Sequence, residues 1–257
     1  MAPEAWYPCQ RRSLPALRLV LFGAWIGVSS SAMAETDENL ASESSVFFDM
    51  PTVLSPSRLS QPRSEAPAAV TIIDRGMIRA AGVREIADVF RLVPGFIVGY
   101  NHGHQPVVAY RGLSDSYSRR MQVLVDGRSV YTAIIGGVVW SQLALHLDDI
   151  ERIEVIRGSN TAAYGSNSFL GVVNIVTVHA AQAQGTDLGF ALGEHGVREG
   201  FARQGWSSGA NAVRLSLSYQ QDDGFDELPD TQRISVLNVR SDYAPNTRDT
   251  IETQFGV

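Results

Sequence analysis

The 257-residue chain is long enough for one large domain or two modest ones, and its 44% hydrophobic content is ordinary for a folded protein. Its formal net charge of −6 argues against nucleic acid as a partner. The single cysteine, Cys9, excludes an intrachain disulfide and a cysteine-built metal site.

Arg11, Arg12 and Arg18 precede an apolar run at residues 19–28, and Ala32-Met33-Ala34 then supplies the small residues of a secretory cleavage site. Residues 1–34 are therefore predicted to be a signal peptide cut after Ala34. The apolar run is about ten residues, roughly half of what a membrane-spanning helix needs. Removing Arg11, Arg12, Arg18 and Glu4 from the totals of 21 basic and 27 acidic residues leaves 18 and 26, a net charge of −8. Residues 35–66 are polar, rich in Ser, Glu and Pro, and lack sustained periodicity, so a flexible lead-in is expected.

A strand is predicted at 70–73, followed by a short helix that Asp74 caps and Gly82 ends. Ile86, Val89, Phe90 and Val93 fall at i, i+3, i+4 and i+7, which predicts an amphipathic helix stopped by Pro94-Gly95. Strands follow at 96–100, 107–110 and 121–125, the last ending in the tight-turn signal Asp126-Gly127. Residues 150–177 are the most informative stretch. There Arg152 and Glu154 alternate with Ile153 and Val155, the period of a strand with one solvated face. Arg157-Gly158 ends that strand, Ser159 can cap a helical turn through Ala163, and Gly165 and Gly171 allow the bends leading to a buried strand at 172–176. Beyond Gln184 the texture changes. Leu188, Phe190 and Leu192, then Val213, Leu215, Leu217 and Tyr219, then Ile251, Thr253 and Phe255 alternate with small or polar residues, while 196–206 and 232–242 match the pattern less well. About five strands are predicted, as in a barrel wall with one lipid face and one polar face, or in a soluble all-β sandwich.

The segment 150–177, with Ile150-Glu151-Arg152-Ile153-Glu154-Val155-Ile156-Arg157-Gly158, then Ala162-Ala163-Tyr164-Gly165 and Gly171-Val172-Val173-Asn174-Ile175-Val176-Thr177, resembles the closing part of the plug domain of TonB-dependent outer-membrane receptors. Ala69-Val70-Thr71-Ile72-Ile73-Asp74, Leu92-Val93-Pro94-Gly95-Phe96, Tyr110-Arg111-Gly112-Leu113 and Val123-Leu124-Val125-Asp126-Gly127-Arg128 match further landmarks of the same family, so the resemblance covers about 67–178. It implies an α+β plug domain at 67–178, a small mixed sheet with short helices. Antiparallel strands of an incomplete transmembrane β-barrel would follow at 185–257. Large outer-membrane transporters close with about 22 strands, so five are expected to be the front of a longer protein.

The function implied by the resemblance is import of a scarce ligand, such as a ferric siderophore or cobalamin, across the outer membrane. Its partners would be the TonB energy-transducing complex, the small-molecule ligand and outer-membrane lipid. A truncated, non-transporting, plug-like periplasmic binding module is the alternative. Thr52, Val53, Leu54 and Ser55 sit where the family places its TonB box, which pairs with TonB by strand addition and is reached from the periplasm; plain linker is the other reading of these residues. In related receptors, arginines at the motifs of Arg111 and Arg157 pair with barrel glutamates and hold the plug. The resemblance also turns the loop of Tyr100, His102, His104 and Gln105, and the stretch 131–140 with Tyr131 and Trp140, toward the extracellular side as ligand contacts. His102 and His104 could ligate a metal or contact haem, but two loop histidines without a third ligand are more often polar loop residues, so no metal and no cofactor are assigned. The acidic run 222–227 lacks calcium-loop spacing and reads as a solvated hairpin connection. No Gly-x-Ser-x-Gly, His-Glu-x-x-His or Walker loop is present, and no enzymatic activity is expected.

Overall fold

The computed structural model describes residues 52–54, 60–62 and 69–257, except 102–103, 114–115, 160, 226 and 247–248. The predicted signal peptide, Ser55 and His102 lie outside the described residues. Thr52–Leu54 (β1) pairs antiparallel with Ser60–Pro62 (β2).

The first sheet is built from β3 (Ala69–Asp74), β6 (Met121–Val125), β7 (Arg128–Ser129), β8 (Ile150–Arg157) and β9 (Gly171–Thr177). Their order is β3-β8-β9-β6-β7, antiparallel throughout except for the parallel pair β6 and β9, which makes the sheet mixed. A separate hairpin joins β4 (Phe96–Tyr100) to β5 (Pro106–Tyr110). The central strand β9 is buried along nearly its whole length because both faces of the sheet are covered. Ile153, Val155, Val173 and Ile175 pack with Val89, Phe90 and Trp140 in the main core. Val70, Leu124, Ile156, Val172 and Tyr164 form a second, smaller cluster.

That second cluster corrects one expectation. Glu154, read from its alternation as solvated, is fully buried: Arg152 Nε donates to it at 2.8 Å and Asn174 Nδ2 at 3.4 Å. Its neighbour Ile156 packs with Tyr164 of a helical turn, α3 (Thr161–Tyr164), so the face meant for water carries protein instead.

Asp74 caps α1 (Arg75–Ala81) by accepting the Met77 N–H at 2.8 Å, and Gly82 ends it in the left-handed region at φ 63°, a conformation open to glycine without steric cost. The amphipathic helix expected through Val93 is shorter. Only Ile86–Val89 (α2) is α-helical, and Phe90–Leu92 tighten into a 3-10 turn. Val93 is already extended at φ −98°, ψ 124°, the conformation forced on a residue that precedes proline. The apolar stripe still reaches its target, since Ile86, Val89, Phe90 and Val93 are all in the core.

The second unit is an antiparallel meander of β10 (Gly185–Leu192), β11 (Arg198–Ser208), β12 (Asn211–Asp222), β13 (Gln232–Tyr243) and β14 (Ile251–Gly256), paired in sequence order. The two weaker matches, β11 and β13, are full strands of 11 and 12 residues. One face is apolar and uncovered, with Leu188 78% and Phe190 75% exposed beside Leu192, Trp206, Leu217, Ile251 and Phe255. The other face turns Phe201, Arg203, Arg214, Ser216, Arg240 and Asp242 inward against the first unit, where all are buried. Gly205 lies against the segment that leads from the first sheet into β10. A Cβ there would run into the Ala183 carbonyl, so the chain leaving the first sheet can lie against the wall only because this position lacks a side chain.

Candidate functional site

The contact between the two units is polar and desolvated. Asp149, buried at the end of the 3-10 turn that leads into β8, accepts the Ser216 hydroxyl at 2.7 Å and lies 3.7 Å from Arg203 Nη1 and 3.9 Å from Arg214 Nε. Arg203 also donates to the Asp148 carbonyl at 2.8 Å and pairs with Asp187. Arg214 donates to the Val178 carbonyl at 2.5 Å and to Asn238 at 2.9 Å. Arg240 donates to Thr177 Oγ1 at 2.9 Å, and that hydroxyl donates to Asp126 at 2.8 Å. Asp126 also accepts the Thr177 N–H at 2.8 Å, tying the turn after β6 to the end of β9. Isolated, any of these buried guanidiniums would cost several kcal/mol, so the carboxylates and carbonyls of the first unit are what make an arginine-lined inner face tolerable.

At the opposite end of the wall strands the polarity reverses. Arg84, in the turn before α2, donates to Glu199 at 2.6 Å and to Asp222 at 3.0 Å. Burial disfavours its charge, but the two carboxylates outweigh burial and raise its pKa. Beside it lies a cavity of about 70 Å³ lined by Arg84, His104, Trp140, Leu143, Glu199 and Asp222, among others. This volume holds a few waters at about 10–15 Å³ each and is far below the several hundred Å³ of a whole-ligand pocket. Tyr100 closes off a neighbouring polar group, its hydroxyl 2.8 Å from Asp88 and 3.2 Å from Glu85. Burial and those two charges push its ionisation far above the ordinary tyrosine value.

Comparison with known proteins assigns the first unit. Residues 62–172 match the family described as TonB-dependent Receptor Plug Domain. The chain carries a TonB-dependent receptor plug domain. It is 29% identical over 177 residues to the vitamin B12 transporter BtuB of Vibrio vulnificus, covering 68% of this chain and 28% of the relative. It is 32% identical over 190 residues to that of Photobacterium profundum, covering 67% and 30%. The chain thus spans a little under a third of these relatives. Among solved structures, the ferripyoverdine receptor of the outer membrane of Pseudomonas aeruginosa superposes with a TM-score of 0.66 at 19% identity, over 80% of this chain and 27% of that one. The ferric-catecholate import receptor Fiu from E. coli K12 gives 0.63 at 19%, over 79% and 28%. At these identities the structures speak for the fold, a plug followed by barrel strands.

Within that frame the candidate residues separate. His104 and Trp140 line the same cavity between plug and wall, and His104 Nε2 is buried there without a hydrogen-bond partner. Tyr100, Gln105 and Tyr131 are not in its lining. Trp140 is only 5% exposed, packs its ring at a tilt of 60° against Phe90 at 5.0 Å and donates to Ser118 at 3.2 Å. The Tyr131 hydroxyl lies 3.0 Å from both the Ser118 and Met121 carbonyls, and burial pushes its pKa up to about 12. Gln105 accepts from the Asn101 amide at 3.2 Å across the β4–β5 hairpin. Arg111 is exposed, in the left-handed region at φ 53°, with its guanidinium 5.3 Å from the Tyr110 ring. Arg157, at the end of β8, has a buried Nε without a hydrogen bond. Thr52, Val53 and Leu54 are held in the β1–β2 pair. The plug arginine that meets wall carboxylates among the described residues is Arg84, which no motif marks. Its partners lie 115 and 138 residues away in sequence.

Proposed function

We propose that this chain is the plug and first wall strands of an outer-membrane receptor that imports a scarce ligand of the corrinoid or ferric-siderophore class, powered by TonB. The observation that carries the reading is the wall: its outer face is apolar and uncovered, its inner face carries the buried Arg203, Arg214, Arg240 and Asp242, and a plug is seated on that inner side. That arrangement suits strands with lipid on one side and a filled lumen on the other. The vitamin B12 transporters among its relatives, and the ferripyoverdine and ferric-catecholate receptors among its structural neighbours, support the two ligand classes. In this reading residues 1–34 export the chain to the outer membrane, and Thr52–Ser55 carry the TonB contact by strand addition. Arg111 and Arg157 fasten the plug, and Tyr100, His102, His104, Gln105, Tyr131 and Trp140 belong to its ligand-facing side. The chemistry is binding and gating, with no bond made or broken.

Deleting residues 50–58 tests it. The expected outcome is unchanged binding of cyanocobalamin or a ferric siderophore to whole cells together with loss of uptake. Uptake that survives the deletion removes the TonB assignment. Recovery of the chain as a soluble periplasmic species, instead of a heat-modifiable outer-membrane one, favours a non-transporting binding module.

A further inference from the structure

Where the plug chain leaves its sheet, three ligand-type side chains from three segments converge. His179 comes from the exit segment, Asp242 from β13 and Glu252 from β14, the last two facing each other as a cross-strand pair. His179 Nδ1 lies 3.7 Å from Asp242 Oδ2 and 3.9 Å from Glu252 Oε1, and all three atoms fall within 4.8 Å of one another. Two like charges directly opposite on adjacent strands repel, so something must offset them. Arg240 does so in part, through the other oxygens: Nε reaches Asp242 Oδ1 at 2.8 Å and Nη2 reaches Glu252 Oε2 at 3.2 Å. Asp126 lies on the same guanidinium at 3.5 Å. Asp242 and Glu252 thus share one guanidinium, which leaves an excess of negative charge that a cation offsets.

We propose that His179, Asp242 and Glu252 form a binding site for a zinc-type divalent metal that ties the plug exit to the barrel wall. Arg240 Nη2 lies 2.6 Å from His179 Nδ1, so that nitrogen is presented as an acceptor, the tautomer a metal requires. To admit the ion, Nη2 gives up His179 and, with it, its contact to Glu252 Oε2; through Nε and Nη1 Arg240 keeps Asp242 Oδ1, Thr177 Oγ1 and Asp126 and orients Asp242 from behind. Asp242 Oδ2 is further fixed by the Ala180 N–H at 2.8 Å. One imidazole and two carboxylates select zinc-type ions over calcium or magnesium, which prefer all-oxygen shells, and three protein ligands leave a position for water. His179 is 43% exposed on its side chain, which gives the ion a way in. The site lies apart from the ligand-facing residues and needs no imported ligand.

The test is calorimetric titration of zinc into the tag-free, chelator-stripped full chain in detergent, repeated with His179→Ala and Glu252→Gln. Both positions are partly exposed, and heat-modifiable mobility checks that each variant is folded. The expected result is about one equivalent of zinc in the parent chain, with affinity falling at least roughly tenfold in each variant, and no response to magnesium. Absence of saturable zinc binding overturns the site. So does binding that both variants retain, which would place the zinc elsewhere.

Discussion

Asp149 offers one carboxylate to two buried guanidiniums and a hydroxyl of the wall strands. Asp149→Ala leaves Arg203 and Arg214 buried with less counter-charge, and should destabilise the plug–wall assembly by about 3–5 kcal/mol, read as a lowered denaturant midpoint. Asp149→Asn keeps an acceptor for Ser216 and should cost less. Tyr100 and Tyr131 give a pH-dependent prediction. Both phenols are held neutral in the fold, so the stability they contribute is complete below the ordinary tyrosine pKa of about 10 and declines as pH rises beyond it, where the unfolded chain ionises first. Tyr100→Phe should therefore flatten the alkaline fall in unfolding free energy, and an unchanged slope would remove Tyr100 from the account.

At the scale of elements, the close approach at Gly205 is testable on its own. Gly205→Ala places a methyl against the Ala183 carbonyl and should cost about 1–3 kcal/mol. Gly200→Ala in the same strand meets nothing within 4 Å and serves as the control in the same denaturation experiment. The plug strands were readable in the sequence because apolar runs such as Val123-Leu124-Val125 sit between strong turn signals. The wall strands β11 and β13 were blurred for a physical reason. Their inner face meets a plug, not water, so it carries apolar residues as well: Phe201 stacks on His146 at 4.6 Å, and Ile234 and Val236 line the cavity with Leu143 and Leu145. Both faces are then partly apolar and a two-residue period fades. The seam itself was illegible because Asp149 and Arg214 become neighbours only once the meander folds onto the sheet. Even the end of the helical run at Leu92 turned on one local effect, the constraint that Pro94 places on Val93.

For the molecule as a whole, the proposed function sets the uncovered apolar face of the wall against lipid. Phe190→Arg should lower the membrane-inserted fraction, at a cost of about 2–4 kcal/mol if the residue lies near the bilayer midplane. Glu194→Arg, in the exposed connection after β10, should leave insertion unchanged. Urea extraction of membranes separates these outcomes. The strand order of the plug sets how it yields under load. β3 has a single neighbour, β8, through six residue pairs, whereas β8, β9 and β6 are each hydrogen-bonded on both sides. Once the β1–β2 pair has opened, a pull on the N-terminal segment enters the five-stranded sheet at this edge strand, whose ladder can open without unpairing any other strand of that sheet. The rest of the sheet, still clasped at its exit by Arg214 and Arg240, can stay in register while its first strand peels away. Mechanical failure thus has a preferred line, between Ala69–Asp74 and β8.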